Sequence, residues 1–181
     1  MTYYLHNRKS LRIKGYNYAA EGFYFITICT FDRQHLFGEI ENKHIKLNDA
    51  GKIAKQCWEL IPIHCPNTKI HDFVIMPDHI HGIIEILYES DGVGANDDSP
   101  LLSPNHSPLP MENYIQKFES PKKTIGSVIR GFKIGVTKWM REFTPHHQIW
   151  QRNYYEHIIR DQQSYDRICF YINSNPENWK A

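Results

Sequence analysis

The sequence lacks the long apolar runs of a membrane protein. Its longest apolar stretches, residues 23–31 and 80–87, are interrupted by polar side chains and fall well short of the roughly 20 residues that a membrane span needs. The basic residues near the N-terminus are not followed by the apolar segment of a signal peptide. We therefore expect a cytoplasmic protein that is not inserted in a membrane.

The sequence also lacks a strong charge excess and any Cys-x-x-Cys pair. Its 21 Lys and Arg residues against 20 Asp and Glu residues leave a formal net charge of +1, so any charged binding site must be local. A zinc site at His64, Cys65 and His71 is disfavoured, because structural zinc usually takes its ligands from two close-spaced pairs. The cysteines are scattered and are interpreted as reduced core residues: Cys29, Cys57, Cys65 and Cys169.

The apolar patterns present are those of an α+β domain. Strand patterns cover residues 23–30, 69–76, 79–87 and 150–160, and helix patterns cover residues 49–61, 124–143 and 161–175. The order β-α-β-β-α-β-α predicts a ferredoxin-like sandwich, with an antiparallel sheet, helices on one face and an added C-terminal helix. We interpret residues 1–181 as one domain, in which the proline-, serine- and acid-rich residues 88–123 form a flexible insertion.

A histidine pair at the start of the third predicted strand is a candidate for chemistry. Side chains alternate along a strand, so His79 and His81 project to one side and Ile80 projects to the other. Two imidazoles on one side can share a cation, but a solvated polar patch is the alternative. The functional interpretation is favoured because polar residues in an isoleucine-rich strand cost apolar burial.

Tyr171 lies at the edge of the last predicted helix. By the helical period it falls about 100° to the side of the apolar stripe that includes Ile168 and Ile172. Asn175, one turn later, shares that edge. From this position alone, Tyr171 is interpreted as an amphipathic boundary residue.

Five motifs, taken together and in order, resemble a known family. They are RKSLRIKGYNYAAEGFYFITICT, MPDHIHGIIEI, GSVIRGFKIGVTKWM, WQRNYYEHIIR and YINSNPENW. The chain resembles the single-tyrosine HUH transposases, and most closely their REP-associated tyrosine transposase branch. The resemblance covers nearly the whole chain apart from the insertion. HUH stands for His, a bulky hydrophobe and His, which here are His79, Ile80 and His81.

The resemblance implies a metal-dependent endonuclease and strand transferase that acts on single-stranded DNA with hairpin structure. His79 and His81 match the family's histidine ligands, and Tyr171 matches its nucleophile. Asn175 falls where the family places a third, amide-type ligand, which is glutamine in many relatives outside this branch. The implied cofactor is Mg²⁺ or Mn²⁺, and the implied intermediate is a 5′-phosphotyrosine.

The resemblance also bears on the oligomeric state. Some HUH transposases pair two subunits with swapped tyrosine helices, whereas REP-associated relatives can act as monomers. We therefore expect a monomer, with a homodimer as the alternative.

Basic side chains provide candidate DNA contacts. Residues 124–160 contain six Arg or Lys residues and two Glu residues, a local excess of four positive charges. A solvated helix face is the alternative interpretation of any one of them. Tyr16, Tyr18, Tyr154 or Tyr155 could stack on exposed bases. The residues expected to bind phosphates are Arg8, Lys9, Arg12, Lys14, Arg130, Lys133, Lys138, Arg141 and Arg152.

Two other functions stay open on the sequence. One is a catalytically silent DNA- or RNA-hairpin-binding protein that keeps only the fold, and the other is a zinc-dependent hydrolase that uses the histidine pair. Tyr154 and Tyr155 are the alternative nucleophiles. No general base is identified, because Asp72, Asp78 and Glu85 are interpreted as solvated or structural carboxylates.

Overall fold

The computed structural model describes residues 20–87 and 124–179. The predicted insertion at 88–123 lies outside the described residues, as do Arg8, Lys9, Arg12, Lys14, Tyr16 and Tyr18. The described elements, in chain order, are β1 (Gly22–Cys29), β2 (Gly38–Glu41), β3 (His44–Leu47), α1 (Asp49–Glu59), α2 (Ile61–His64), β4 (Thr68–Ile75), β5 (His79–Ile86), α3 (Ile125–Phe143), β6 (Tyr155–Ile159) and α4 (Gln162–Ser174).

The main sheet has the strand order β4-β5-β1-β6, and every neighbouring pair is antiparallel. This arrangement confirms the predicted antiparallel sheet of a ferredoxin-like sandwich. β1 pairs with β5 along its whole length, from Gly22 opposite Ile86 to Cys29 opposite His79. The same register places Thr27 directly opposite His81.

Side-chain caps begin the three long helices. The Asn48 side chain accepts a hydrogen bond from the backbone of Gly51 at the start of α1. A capping box formed by Thr124 and Ser127 begins α3, and the Asp161 carboxylate caps α4. None of the described helices is long and apolar enough to cross a membrane.

One face of the sheet carries the larger core. Even-numbered side chains of β1 and β5 point to this face, where α1 and α3 cover them. Trp58 of α1 and Phe132 of α3 meet there, with ring centroids 5.2 Å apart. The fully buried strand residues of this core are Tyr24, Ile26, Ile28, Ile80 and Ile84.

The other face of the sheet is covered by α4. Ile172 of α4 is fully buried there with Ile83 of β5. The odd-numbered residues of β1 are only half-buried, so the predicted burial of this strand on both faces is correct in part. α4 therefore covers this face incompletely beside β1, whereas the start of β5 is buried.

Two regions differ from the sequence prediction. The β2–β3 hairpin was not predicted; its turn residues, Asn42 and Lys43, have positive φ angles of 50° and 64°. The strand predicted over 150–160 is limited to β6. Trp150 makes only an isolated bridge with Thr30, and its indole donates to the backbone of Lys133. The indole bond attaches the segment before β6 to α3, and the bridge attaches it to the end of β1.

The cysteine prediction is correct in part. All four cysteines are free thiols. They are half-buried rather than fully buried, and Cys57, Cys65 and Cys169 pack at the margins of the two cores. Burial raises the pKa of the Cys57 thiol to about 11, so this group stays protonated at neutral pH.

Candidate active site

The histidine pair lies at the start of β5 and faces α4. The ring centroids of His79 and His81 are 4.5 Å apart. Each residue is only 5% exposed, so the solvated-patch interpretation is wrong. The burial of two adjacent imidazoles on one sheet face calls for polar partners, and both rings have them.

His79 is held by a buried carboxylate. Its Nδ1 lies 2.5 Å from Oδ1 of Asp78, and Oδ2 of Asp78 lies 3.3 Å from Nε of Arg33. Burial acts to raise the pKa of the Asp78 carboxyl, but the hydrogen bond to His79 and the neighbouring positive charges outweigh it and lower the pKa. The interpretation of Asp78 as a solvated or structural carboxylate misses its contact with the histidine pair. The signal for this contact in the sequence is that Asp78 directly precedes His79.

His81 is held by a hydroxyl on the neighbouring strand. Its Nδ1 lies 2.8 Å from Oγ1 of Thr27. Burial is the largest cause that lowers the pKa of His81 to about 3, and the charges of His79 and Arg33 act in the same direction while the charge of Asp78 opposes them. His81 is therefore neutral at physiological pH, which is the form of imidazole that binds metal ions.

Tyr171 reaches the histidine pair from α4 of the same chain. Its hydroxyl lies 3.1 Å from Nε2 of His81, and the two ring centroids are 5.1 Å apart. The Phe25 ring packs edge-on against Tyr171 at 6.1 Å. Tyr171 is 47% exposed, which agrees with the predicted position at the edge of the helix.

Asn175 directly follows the last residue of α4. Its backbone is helical, with φ −58° and ψ −45°, although Pro176 follows it. Its N–H donates to the carbonyl of Ile172 at 3.3 Å. In the part of the chain that the structure describes, its side chain makes no hydrogen bond with either histidine.

Trp179 covers one ring of the histidine pair, that of His79, and is not among the predicted site residues. Its indole stacks on the His79 ring, with centroids 5.7 Å apart and an interplanar angle of 28°. Its other neighbour is His35, also at 5.7 Å. The residues after α4 therefore return to the site.

The two other tyrosines considered as nucleophiles lie in different places. Tyr155, 48% exposed, lies on the α4 side, where its ring centroid is 6.5 Å from that of Phe25. Tyr154 lines a groove beside α3. Of the three tyrosines, Tyr171 is the one hydrogen-bonded to a histidine of the pair.

The histidine pair fits a divalent cation by its donor chemistry. Among residues 20–87 and 124–179, no group of three or more His, Cys, Asp or Glu residues could hold a metal ion. The pair nevertheless offers two imidazoles whose Nδ1 atoms already have partners. Their Nε2 atoms are then the atoms that would face a cation, which is the usual arrangement of metal-binding histidines. Any further ligand would come from an amide, water or the bound substrate.

A groove of about 780 Å³ gathers the predicted DNA contacts that the structure describes. It lies between α3 and the segment that leads into β6, on the α3 side of the sheet, whereas Tyr171 is on the α4 side. Its basic lining residues are Arg130, Lys133, Lys138, Arg141 and Arg152.

Lys133 differs from the other basic residues of the groove. Its ammonium donates to the carbonyls of Gln151 and Asn153 at 3.0 and 3.1 Å. It also lies 5.8 Å from the centroid of the Trp150 ring. Burial lowers the pKa of Lys133 to about 8. Lys133 thus fixes the segment that carries Arg152 beside α3.

The fold and the site define a ferredoxin-like α+β protein in which a buried histidine pair faces a helix-borne tyrosine. A solved REP-associated tyrosine transposase bound to a REP hairpin shares this fold, with a TM-score of 0.59 and 19% sequence identity. The match covers 95% of this chain and 76% of the transposase chain.

The sequence comparison defines the family more narrowly. An uncharacterized protein of Haemophilus influenzae is 47% identical over 180 residues, which are 97% of this chain and 92% of the relative. The chain belongs to the same family as this protein. No family model matches the chain.

Proposed function

We propose that the protein is a transposase of the REP-associated tyrosine type, which nicks and joins single-stranded DNA at hairpins. The observation that carries the proposal is the 3.1 Å contact between the Tyr171 hydroxyl and Nε2 of His81, beside His79. A shared fold with a hairpin-bound REP-associated tyrosine transposase supports the same function. A covalent phosphotransfer site can be built from a nucleophilic tyrosine on one element and a histidine pair on another.

Two imidazoles would hold the divalent cation in this proposal. His79 and His81 would bind Mn²⁺ or Mg²⁺, and Asn175 is the candidate amide ligand. Imidazole suits Mn²⁺ better than Mg²⁺, so the metal preferred in vitro can differ from the metal used in the cell. When bound, the cation supplies Lewis acidity that withdraws charge from the scissile phosphate.

Tyr171 would act as the nucleophile. Its phenolic oxygen attacks the phosphorus, the bond from phosphorus to the 3′ oxygen breaks, and a 5′-phosphotyrosine forms. The phenol proton leaves to solvent and the departing 3′ oxygen takes up a proton, which gives a free 3′-OH. The 47% exposure of Tyr171 leaves room for a phosphodiester to reach its hydroxyl.

Joining would be the reverse of this step. The new phosphotyrosine bond replaces one phosphate ester by another, so little of the energy of the DNA linkage is lost. A 3′-OH of another strand can attack the phosphotyrosine, release Tyr171 and restore a DNA backbone without ATP. Cleavage and strand transfer would therefore use the same residues.

The groove beside α3 would bind the phosphates of the DNA. Arg130 and Arg141 are exposed on α3, and Arg152 faces them from the segment before β6. The basic residues Arg8, Lys9, Arg12 and Lys14 are proposed to add to this binding. A single DNA that reaches both the groove and Tyr171 must contact both sides of the sheet, which a hairpin stem with a single-stranded flank can do.

One chain would supply the complete catalytic arrangement in this proposal. Tyr171 contacts His81 of its own chain, so a swapped helix is not needed to bring them together. This geometry favours a monomer as the active species.

A nicking assay tests the proposed function. Labelled single-stranded hairpins drawn from the DNA flanking the gene would be incubated with protein and Mn²⁺ or Mg²⁺, with EDTA as the control. We expect metal-dependent nicks whose 3′ ends a polymerase can extend. Tight hairpin binding without any nick would indicate the catalytically silent binding protein. Zinc retained through purification, with hydrolysis but no protein-DNA bond, would indicate the zinc hydrolase.

A further inference from the structure

We infer that Asp78 is a positioning residue that fixes the tautomer of His79 and leaves Nε2 of that ring as a ligand atom before any cation binds. The inference rests on the proposed function, because it concerns the way the metal site is built. It also distinguishes the two histidines, because Nδ1 of His79 contacts a carboxylate whereas Nδ1 of His81 contacts the hydroxyl of Thr27.

The contact between Asp78 and His79 is short and buried. The 2.5 Å distance joins Oδ1 to Nδ1, and both side chains are 6% exposed. The other carboxylate oxygen faces Arg33 Nε at 3.3 Å, so both oxygens of Asp78 have a cationic or N–H neighbour. The backbone carbonyl of Asp78 accepts from both N and Oγ1 of Thr30 at 2.9 Å, which fixes the turn that carries the carboxylate.

An ionised carboxylate can only accept hydrogen bonds. Nδ1 of His79 must therefore carry the proton, and the lone pair of a neutral ring is then on Nε2. Carboxylates that orient metal-binding histidines in this way also raise the basicity of the ligand atom. Asp78 is placed to orient His79 in this way.

The partner of His81 does not fix a tautomer in the same way. A threonine hydroxyl can donate or accept, so Thr27 is compatible with a proton on either nitrogen of His81. The Tyr171 hydroxyl at Nε2 is equally adaptable. His79 is thus set in advance as a ligand, whereas His81 can exchange between Tyr171 and a cation.

The chain contains a matched control for this arrangement. Glu85 lies on the same strand as His79, and its Oε2 is 2.8 Å from Nε2 of His71. This second carboxylate–histidine pair is also largely buried, with side chains 22% and 16% exposed. It is tied to Tyr165 through Nδ1 of His71 and takes no part in the proposed metal site.

The test measures Mn²⁺ affinity from the electron paramagnetic resonance signal of free Mn²⁺. Asp78→Ala is expected to weaken binding about 10- to 100-fold, because loss of such an outer partner typically has that effect. Asp78→Asn should lie between Asp78→Ala and wild type, because an amide oxygen can still accept from Nδ1. Glu85→Gln should stay within about twofold of wild type.

Nitrogen-15 spectra of the imidazoles provide a second readout in metal-free protein. We expect the proton of His79 on Nδ1 in wild type and in Glu85→Gln, and a mixture of tautomers in Asp78→Ala. If Asp78→Ala does not fold, Asp78→Asn replaces it in both measurements, with at least a threefold loss of Mn²⁺ affinity expected.

The outcomes separate this inference from the proposed function. Wild-type Mn²⁺ binding that the Asp78 variants leave within twofold would overturn the positioning role and leave the metal site standing. A His79 proton found on Nε2 in wild type would do the same. Failure of the wild-type protein to bind Mn²⁺ would overturn the proposed metal site and this inference with it.

Discussion

The hydroxyl of Tyr171 and Nε2 of His81 lie 3.1 Å apart, although 90 residues separate them in the chain. The pair joins the sheet, which carries the histidines, to the helix that carries the tyrosine. It also places the phenol on the nitrogen that the proposed cation would use. Binding of the cation must therefore exchange this hydrogen bond for a bond to the metal.

This competition predicts an effect of Tyr171→Phe on metal binding. Without the hydroxyl, Nε2 of His81 has no phenol partner to give up, and one hydrogen bond is worth about 0.5–1.5 kcal/mol. We expect Mn²⁺ affinity equal to that of wild type or up to about tenfold tighter. Titration followed by electron paramagnetic resonance measures it. Tyr155→Phe is the control, and weaker binding by Tyr171→Phe alone would show that the phenol is a ligand.

Removal of either histidine of the pair should weaken metal binding and slow nicking together. His79→Ala and His81→Ala each delete one of two imidazole ligands, so we expect Mn²⁺ affinity to fall by more than about tenfold. His157→Ala is the control, because His157 is an exposed histidine on β6, two strands away. Nicking at wild-type rates by both pair variants would contradict the proposed site.

The positions of the catalytic candidates could be predicted from the sequence because local periods determine them, whereas the roles of Tyr171 as nucleophile and Asn175 as ligand came only from the family resemblance. Strand alternation put His79 and His81 on one face, and the helical period put Tyr171 at an edge. The partners of these residues could not be predicted. Thr27 lies beside His81 only because the β1–β5 register aligns them, and register is a tertiary property.

The fold could be predicted to a similar extent. The order of the predicted elements indicated the ferredoxin-like sheet, because most of the helices and strands in this fold are long segments with a clear apolar period. The β2–β3 hairpin was missed, since its two strands have only four residues each. The contacts of Lys133 with two backbone carbonyls could not be predicted from the sequence either. An ammonium that binds two backbone carbonyls has the same sequence signal as one that faces a phosphate.

The groove beside α3 predicts a salt-dependent loss of DNA affinity. The double variant Arg130→Ala and Arg141→Ala removes two exposed cations, so the slope of log affinity against log salt should fall by about 2. Fluorescence anisotropy with a labelled hairpin measures the slope. The nicking rate at saturating DNA should stay near wild type, because the groove is on the other side of the sheet from Tyr171.

A charge-matched control accompanies the groove variant. Lys52→Ala and Lys55→Ala together also remove two positive charges, but these lysines pair with Asp49 and Glu59 on α1. Their loss should change the salt slope by much less than 2. Equal effects of the two double variants would indicate that only the total charge matters, and the groove would then not be a binding site.

Close packing of Trp58 against β5 predicts a stability effect at Gly82. A Cβ atom at Gly82 would lie 2.4 Å from the Trp58 ring and 2.9 Å from Cβ of Phe73, so the core would have to shift. We expect Gly82→Ala to lower the free energy of unfolding by about 1–3 kcal/mol in urea denaturation.

Gly135→Ala is the control for that substitution. The nearest atom to its added Cβ would be Sγ of Cys57 at 3.4 Å, and Gly135 lies inside α3. Alanine has a higher helix propensity than glycine, by about 0.8–1.0 kcal/mol. We expect Gly135→Ala to be neutral or stabilising, and a loss as large as that at Gly82 would contradict the packing described for β5.

The most direct test of the central claim is identification of the residue that becomes joined to DNA. Wild-type protein would be incubated with a single-stranded hairpin and Mn²⁺, digested with protease, and analysed by mass spectrometry for a nucleotide-modified peptide. We expect a 5′-phosphotyrosine on Tyr171, absent with EDTA and absent in Tyr171→Phe, with hairpin affinity unchanged within about twofold. An adduct on Tyr154 or Tyr155, or one that survives in Tyr171→Phe, would contradict it.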